Sequence, residues 1–413
     1  MKKARVGIIG TGMRSASYLR NLPRELRPAV QVVALADPSE ANRARFEGFF
    51  AEEPFIGAAR PRHYERGADL LDKEELDALI IGSPNHAHTA DALLALPRGI
   101  PILLEKPVAI NLEECRALWR AYREAGEPPV TVGFVLRYAP FYTRVKELIR
   151  EADLGQLLSI DADESLGTGL TAFFFDEWSW RRLDRLTGGF MVEKCCHDFD
   201  ILNWLAEAKA ERVFSLARRS HFTPRPPEQR HRRFEPEALR RAVIDYGDAE
   251  FRRTFRSLGD GSLYESTSDM PDHQAVMVEY DNGVLSTFTA CVAQPRDARR
   301  LRVYGSNGAI EGDIERSRIV LDKPREGARG SDTEEFAVAA DEEAGHHGAD
   351  PVINEAFWGG VLGGPVTIKA GIREGIEAVL VALAAEESKK SGRAVDVAAM
   401  RRDVFGERMT SDA

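Results

Sequence analysis

Short, unbroken apolar runs punctuate the first third of the chain: Val6–Ile9, Val32–Ala36, Ala78–Ile81 and Ile102–Leu104. Runs of this kind suit strands covered on both faces, as in a parallel sheet. Between them lie stretches of helical spacing, at Ala41–Glu52, His88–Leu96 and Leu112–Ala125. In the last, Leu112, Cys115, Leu118, Trp119 and Tyr122 recur at helical intervals, and Gly126 stands where a C-terminal cap belongs. Strand alternating with helix is the pattern of βαβ units, so this part of the chain predicts a doubly wound parallel α/β sheet. A further strand, Val130–Leu136, closes it.

The pattern then changes. Val276, Val278 and Tyr280 alternate ahead of Asp281-Asn282-Gly283, and Ser306-Asn307-Gly308 repeats the device. Asn-Gly between alternating strands is a strong hairpin signal, so residues Gln274–Leu321 predict an open, largely antiparallel sheet in an α+β domain. A helix is expected over Ala370–Lys390, with an apolar stripe of Ile372, Ile376, Val379, Leu380 and Leu383 and an end at Ser391-Gly392. The length, 413 residues, exceeds one ordinary core. We expect two domains, 1–135 and 136–413. The segment Arg225–Arg256, rich in Arg, Pro and Glu, reads as a solvated insertion or as a contact to substrate or subunit.

Composition narrows the function classes. Hydrophobic residues make up 43% and charged residues 30%, as in a soluble globular protein. With 56 basic against 66 acidic residues the net charge is −10, which argues against a nucleic-acid partner. No apolar run approaches the roughly 18 residues of a membrane span. The basic start followed by Val6–Ile9 reads as a first strand rather than an export signal. Four cysteines (Cys115, Cys195, Cys196, Cys291) build no disulfide framework in a chain this long, so a reducing, cytoplasmic setting is expected.

Four clusters carry candidate chemistry. Gly10-Thr11-Gly12-Met13-Arg14-Ser15 lies between the first strand and a helix. Gly10 suits a tight turn, Gly12 lets backbone approach a pyrophosphate at the helix start, and Ser15 replaces the usual third glycine. The second strand ends at Asp37, where a ribose-binding carboxylate belongs, although capping the next helix is the plainer use of that residue. Together these features predict a Rossmann dinucleotide site. The second cluster, Ser83-Pro84-Asn85-His86-Ala87-His88, follows the strand Ala78–Ile81 and so falls at the ligand edge of such a sheet. It fits a cofactor-facing loop or a capped strand-to-helix turn.

The third cluster, Glu105-Lys106-Pro107, ends the next strand at the same edge. The fourth runs from Gly188-Gly189 through Glu193 to His197 and Asp200. On a helix these last three share one face. A histidine among carboxylates fits a general base, or a capped core histidine. The neighbouring Cys195-Cys196 pair lacks zinc-ligand spacing, so no metal is expected.

Taken in order, the Gly10-x-Gly12, Ala36-Asp37-Pro38, Ser83-Pro84-Asn85-His86-x-His88, Glu105-Lys106-Pro107 and Glu193…His197-x-x-Asp200 elements resemble one family. It is that of the glucose-fructose oxidoreductases, inositol dehydrogenases and rhizopine-catabolism proteins (Gfo/Idh/MocA). The likeness runs from Val6 to about Val397 and includes Gly345-His346-His347-Gly348-Ala349-Asp350. It implies an NAD(P)-dependent dehydrogenase of sugars, inositols or related polyols, assembled as a homodimer or homotetramer through the C-terminal sheet. It implies that Lys106 and His197 act on the substrate hydroxyl, with Glu193 beside them where the family more often has aspartate.

Thr11, Met13, Ser83, Pro84, Asn85, His88 and Glu105 are then expected around the cofactor. Arg137, Tyr138, Trp180, Arg181, Asp200 and His347 are expected around the substrate. Asp37 implies NAD in preference to NADP. Two other readings stand beside this one: an NAD-dependent glycoside-cleaving enzyme, and a ligand sensor on the same fold that needs neither Lys106 nor His197.

Overall fold

Six strands form the first sheet: β1 (Ala4–Ile9), β2 (Val30–Ala36), β3 (Arg62–Tyr64), β4 (Ala78–Ile81), β5 (Ile102–Leu104) and β6 (Val130–Val132). They pair in the order β3-β2-β1-β4-β5-β6, every pair parallel. All four residues of β4 are buried, which is why the run Ala-Leu-Ile-Ile carries no polar alternation. The computed structural model describes residues 3–51, 53, 60–245, 261–327, 329–339 and 345–406, with only the backbone of 242–245. The expected helix end at Glu52 and residues 246–256 of the Arg-rich segment lie outside the described residues.

The chain divides into two compact units. One comprises Met1–Ala139, Asp341–Val379 and Arg402–Ala413, the other Pro140–Ala340 and Leu380–Arg401. In the first unit the strand order reverses between β1 and β4, which makes their carboxyl ends the switch point where such sheets bind ligands. Local signals set the helices. Ser39 accepts the Asn42 N–H at 3.2 Å and starts Glu40–Phe49. Asn111 accepts the Glu114 N–H at 2.9 Å and starts Leu112–Glu124.

The expected strand Val130–Leu136 is shorter than its apolar run. Pairing stops at Val132, the Phe134 N–H turns back onto the Val132 carbonyl at 2.7 Å, and Val135–Tyr138 is a 3-10 helix. The apolar residues continue because this turn is buried, not because the strand does.

The second unit holds a sheet of β7 (Leu157–Ser165), β8 (Ala210–Arg218), β9 (His273–Tyr280), β10 (Leu285–Cys291), β11 (Ala298–Gly305), β12 (Gly308–Asp313), β13 (Arg318–Pro324), β14 (Ser331–Ala337) and β15 (Val395–Asp396). Their order is β14-β13-β12-β11-β7-β10-β9-β8-β15, antiparallel throughout except for the β7–β10 pair. Tyr280 and Val284 flank the Asn282-Gly283 turn that joins β9 to β10, as the spacing predicts.

One face of this sheet is a core of Val276, Val278, Phe288, Leu301, Val303 and Ile310. The helix Cys196–Ala206 packs there through Phe199, whose ring meets Phe288 edge-on at 5.4 Å. The buried Lys146 ammonium closes that helix by donating to the Trp204 carbonyl at 2.6 Å. The opposite face exposes Leu216, Met277 and Leu285. Among the described residues no helix is long and apolar enough to cross a membrane.

Candidate active site

The turn after β1 is shaped by close approach. Gly10 has φ +84°, and a Cβ there would collide with the Ser83 backbone nitrogen after β4. Only glycine fits. Ser15 fills the third fingerprint position by donating from its hydroxyl to the Gly10 carbonyl at 2.6 Å, which locks the turn a glycine would leave loose. The helix Met13–Arg20 starts at Gly12 with no side chain capping it, which leaves its first turn available to an anion.

Asp37, at the end of β2, accepts from the Thr11 N–H at 3.1 Å and the Thr11 hydroxyl at 3.0 Å. Its other oxygen accepts the Ser39 N–H at 2.9 Å. Asp37 therefore ties the glycine turn to the start of the next helix, while Ser39 is the cap. Arg43 donates to the Asp37 main-chain carbonyl rather than to its carboxylate.

After β4, Asn85 is buried and its side-chain amide nitrogen meets no partner among the described residues. A buried donor of this kind costs about 1–3 kcal/mol unless a ligand satisfies it. The glycine turn, the uncapped helix start and this amide fit a dinucleotide at the switch point. His88 plays a different part. Its ring nitrogens face the Pro107 carbonyl at 2.8 Å and the Ser83 carbonyl at 2.6 Å, bridging the ends of β4 and β5. Burial pushes its pKa down, against the pull of both carbonyls. His86 and Pro84 are exposed.

At the end of β5, Glu105 is buried and triply bonded. It accepts from the Tyr18 hydroxyl at 2.5 Å, from Arg14 Nε at 2.8 Å, and from the Lys106 N–H at 3.0 Å. Burial alone would raise its pKa, but Arg14 and Tyr18 outweigh that and hold it below the usual carboxylate range. The backbone of Lys106 is thus fixed by an ionised carboxylate, and the Lys106–Pro107 bond is cis.

Arg14 also donates to Asp350 at 3.2 and 3.3 Å, and Asp350 accepts from Ser17 at 3.2 Å and meets His346 Nδ1 at 3.0 Å. Against the cost of burial, Arg14 and His346 hold the Asp350 carboxyl well below its ordinary value. This contact anchors residues 345–348, all at positive φ, with His346 at φ +45° and His347 at φ +55°. Non-glycine residues adopt that conformation only where neighbours enforce it. Sequence reasoning missed Arg14, Tyr18 and Asp350 as the support of Glu105. The motifs containing Arg14 and Asp350 were visible, but their pairing was not. Arg137 and Tyr138, expected near substrate, both engage Lys369: Arg137 donates to its carbonyl at 2.6 Å and the Tyr138 hydroxyl accepts its N–H at 3.2 Å.

In the second unit, the double glycine makes room for a carboxylate. Gly189 has φ +103°, and a Cβ there would collide with the Glu386 carboxyl group, which accepts the Met191 N–H at 2.9 Å. From there the chain forms Phe190–Glu193, breaks at Lys194-Cys195 and resumes as Cys196–Ala206, two helices where the spacing suggested one. Glu193, His197 and Asp200 are all buried. Glu193 accepts from Arg181 Nε at 2.8 Å, a partner the helical spacing did not indicate. The Arg181 guanidinium lies 4.5 Å over the Trp180 ring and 5.1 Å over Phe173.

Comparison with known proteins agrees with this layout. The NAD-binding Rossmann fold of an oxidoreductase family matches residues 4–134, and that family's C-terminal alpha/beta domain matches residues 146–397. The Bacillus subtilis protein YteT is 25% identical over 317 residues, covering 70% of this chain and 73% of YteT. Inositol 2-dehydrogenase 2 of Saccharopolyspora erythraea is 31% identical over 155 residues, 38% of this chain and 43% of that enzyme, so the match spans under half of its length. A levoglucosan dehydrogenase solved with NADH and levoglucosan superposes with a TM-score of 0.71 at 19% identity, covering 96% of this chain and 100% of that one.

Proposed function

Since the chain belongs to the Gfo/Idh/MocA oxidoreductase family, we propose that it exchanges a hydride between NAD and a secondary hydroxyl of a sugar, inositol or related polyol. The observation that carries this reading is the cluster at the carboxyl ends of β1, β4 and β5. There the Gly10–Gly12 turn, the buried Asn85 amide and Lys106 on its ionised Glu105 support converge on one edge of the sheet. The names of the inositol and levoglucosan dehydrogenases support a cyclic polyol as substrate.

Gly10, Thr11, Gly12 and Met13 hold the pyrophosphate of the cofactor at the uncapped helix start. Asp37 receives the ribose hydroxyls and disfavours a 2′-phosphate, giving a preference for NAD over NADP. Ser83, Pro84 and Asn85 line the nicotinamide end, where His88 shapes the loop from beneath. NAD, when bound, supplies the hydride acceptor. His197 takes the proton from the substrate hydroxyl, and the Lys106 ammonium donates a hydrogen bond to that oxygen and polarises it. Glu193, charge-paired with Arg181, orients the base. Asp200, Trp180, Arg181, Arg137, Tyr138 and His347 contribute to substrate contact.

The same reading assigns the exposed Leu216, Met277 and Leu285 face to association into a homodimer or homotetramer, since a soluble monomer rarely leaves such a patch open. Four free thiols fit a reducing cytoplasm. The test is a panel of sugars, inositols and sugar acids scored for NADH formation. Turnover on at least one polyol is expected, and a panel with no turnover at all would overturn the reading.

A further inference from the structure

Lys194 lies in the break between the two helices, and Asp198 falls about 100° around Cys196–Ala206 from His197, so it points elsewhere. Both reach the sheet beneath. Lys194 Nζ lies 2.5 Å from Glu164 Oε1, and Arg299 Nε lies 3.0 Å from Asp198 Oδ1. Arg299 also pairs with Glu164, its cross-strand partner between β11 and β7. All four groups are withdrawn from water: the side chains of Glu164, Asp198, Arg299 and Lys194 are 3%, 6%, 12% and 14% exposed.

Two carboxylates and two cations make a neutral quartet. Glu164, Asp198 and Cys195 also present three potential ligand atoms within 4.8 Å of one another. A metal ion there would meet Lys194 and Arg299, and burial next to two carboxylates pushes the Cys195 thiol up, away from the thiolate a metal needs. The cluster works as an ionic anchor.

We propose that Glu164 and Arg299, both on the sheet, are positioning residues for His197, holding its segment through Lys194 and Asp198. This rests on the reading of His197 as the base. The buried ionic side fixes the rotation of the segment, so that its other side presents Glu193, His197 and Asp200. Charge balance is the operative property, because removing one member leaves a buried charge uncompensated whereas removing an opposite pair does not.

The test uses the full chain as Glu164→Gln, as Glu164→Gln with Lys194→Gln, and as Arg299→Lys. The readouts are NAD affinity, kcat and KM for the polyol identified, and the His197 pKa by NMR of labelled histidine. In Glu164→Gln, kcat should fall about tenfold or more with NAD affinity within about twofold. In the same variant the His197 pKa should move by roughly half a unit. The doubly neutralised variant should recover most of kcat, and Arg299→Lys should keep part of it. Wild-type kcat and an unmoved His197 pKa in Glu164→Gln would overturn the proposal, as would a double variant no better than the single. Should Glu164→Gln fail to fold, the double variant and Arg299→Lys decide by the same readouts. If the wild-type chain oxidises no polyol, the functional reading fails by itself. The His197 pKa then decides the positioning role alone: a shift supports it and constancy overturns it.

Discussion

Replacing Glu105 by Gln removes one charge from a buried, triply bonded carboxylate of the first unit. Three donors converge on it: the Tyr18 hydroxyl, Arg14 Nε and the Lys106 N–H. A neutral amide keeps one acceptor oxygen but turns an NH2 group toward at least one of those donors. Removing one partner of a buried ion pair costs about 3–5 kcal/mol. The lower end applies here, because Arg14 keeps its bonds to Asp350 and its side chain is 21% exposed. A loss of about 3 kcal/mol lowers the midpoint of a domain of this size by roughly 6–12 °C.

Catalysis should suffer separately. The Lys106 backbone loses its charged anchor, and a misplacement of about 1 Å in such a site costs up to 10²-fold in rate. NAD affinity should hold, since Gly10, Gly12 and Asp37 make no bond to Glu105. Thermal unfolding, NAD titration and polyol turnover on the same preparation check all three. A midpoint within about 2 °C of wild type together with unchanged kcat would refute the view that Glu105 holds Lys106.

Asp37→Ala should erase the preference for NAD, bringing the NAD and NADP dissociation constants within about threefold; a preference that survives the substitution would remove Asp37 from cofactor selection. The folded pKa of Asp350 lies below its unfolded value of about 3.9, so its stabilisation is fully present above that pH and drains away as the pH falls further. Midpoints of wild type and Asp350→Asn should therefore stay a constant distance apart above about pH 4 and converge as the pH falls below it; a gap that does not narrow there would contradict the assignment. Met277→Glu, at an exposed position in β9, should shift sedimentation toward the monomer with the unfolding midpoint nearly unchanged.

Five strands of the first sheet were legible because they are largely buried on both faces and therefore read as continuous apolar runs, with Gly10 and Asp37 marking strand ends. The largely exposed β3, Arg62–Tyr64, carries no such run and was missed. Past Val132 the same signal overran the strand: the apolar residues there belong to a buried 3-10 turn, and hydrophobicity reports burial rather than backbone geometry. Helical spacing brought Glu193, His197 and Asp200 into one cluster but could not reveal Arg181 as the partner of Glu193, because that contact is made by a separate 3-10 turn, Trp180–Arg182. Arg14 and Asp350 are 336 residues apart, and no local pattern encodes which arginine meets which aspartate. Glu386, likewise, looks like one more charge on a long helix until the space left by Gly189 is seen.

The most direct test of the central claim is turnover by Lys106→Ala, His197→Ala and the double variant on whichever polyol reduces NAD. Each single variant should lose roughly 10²–10⁴-fold in kcat while binding NAD as wild type does. The double variant should be little worse than the worse single, as expected of groups that act on one oxygen. Wild-type turnover in either alanine variant, or losses that multiply in the double, would contradict the account.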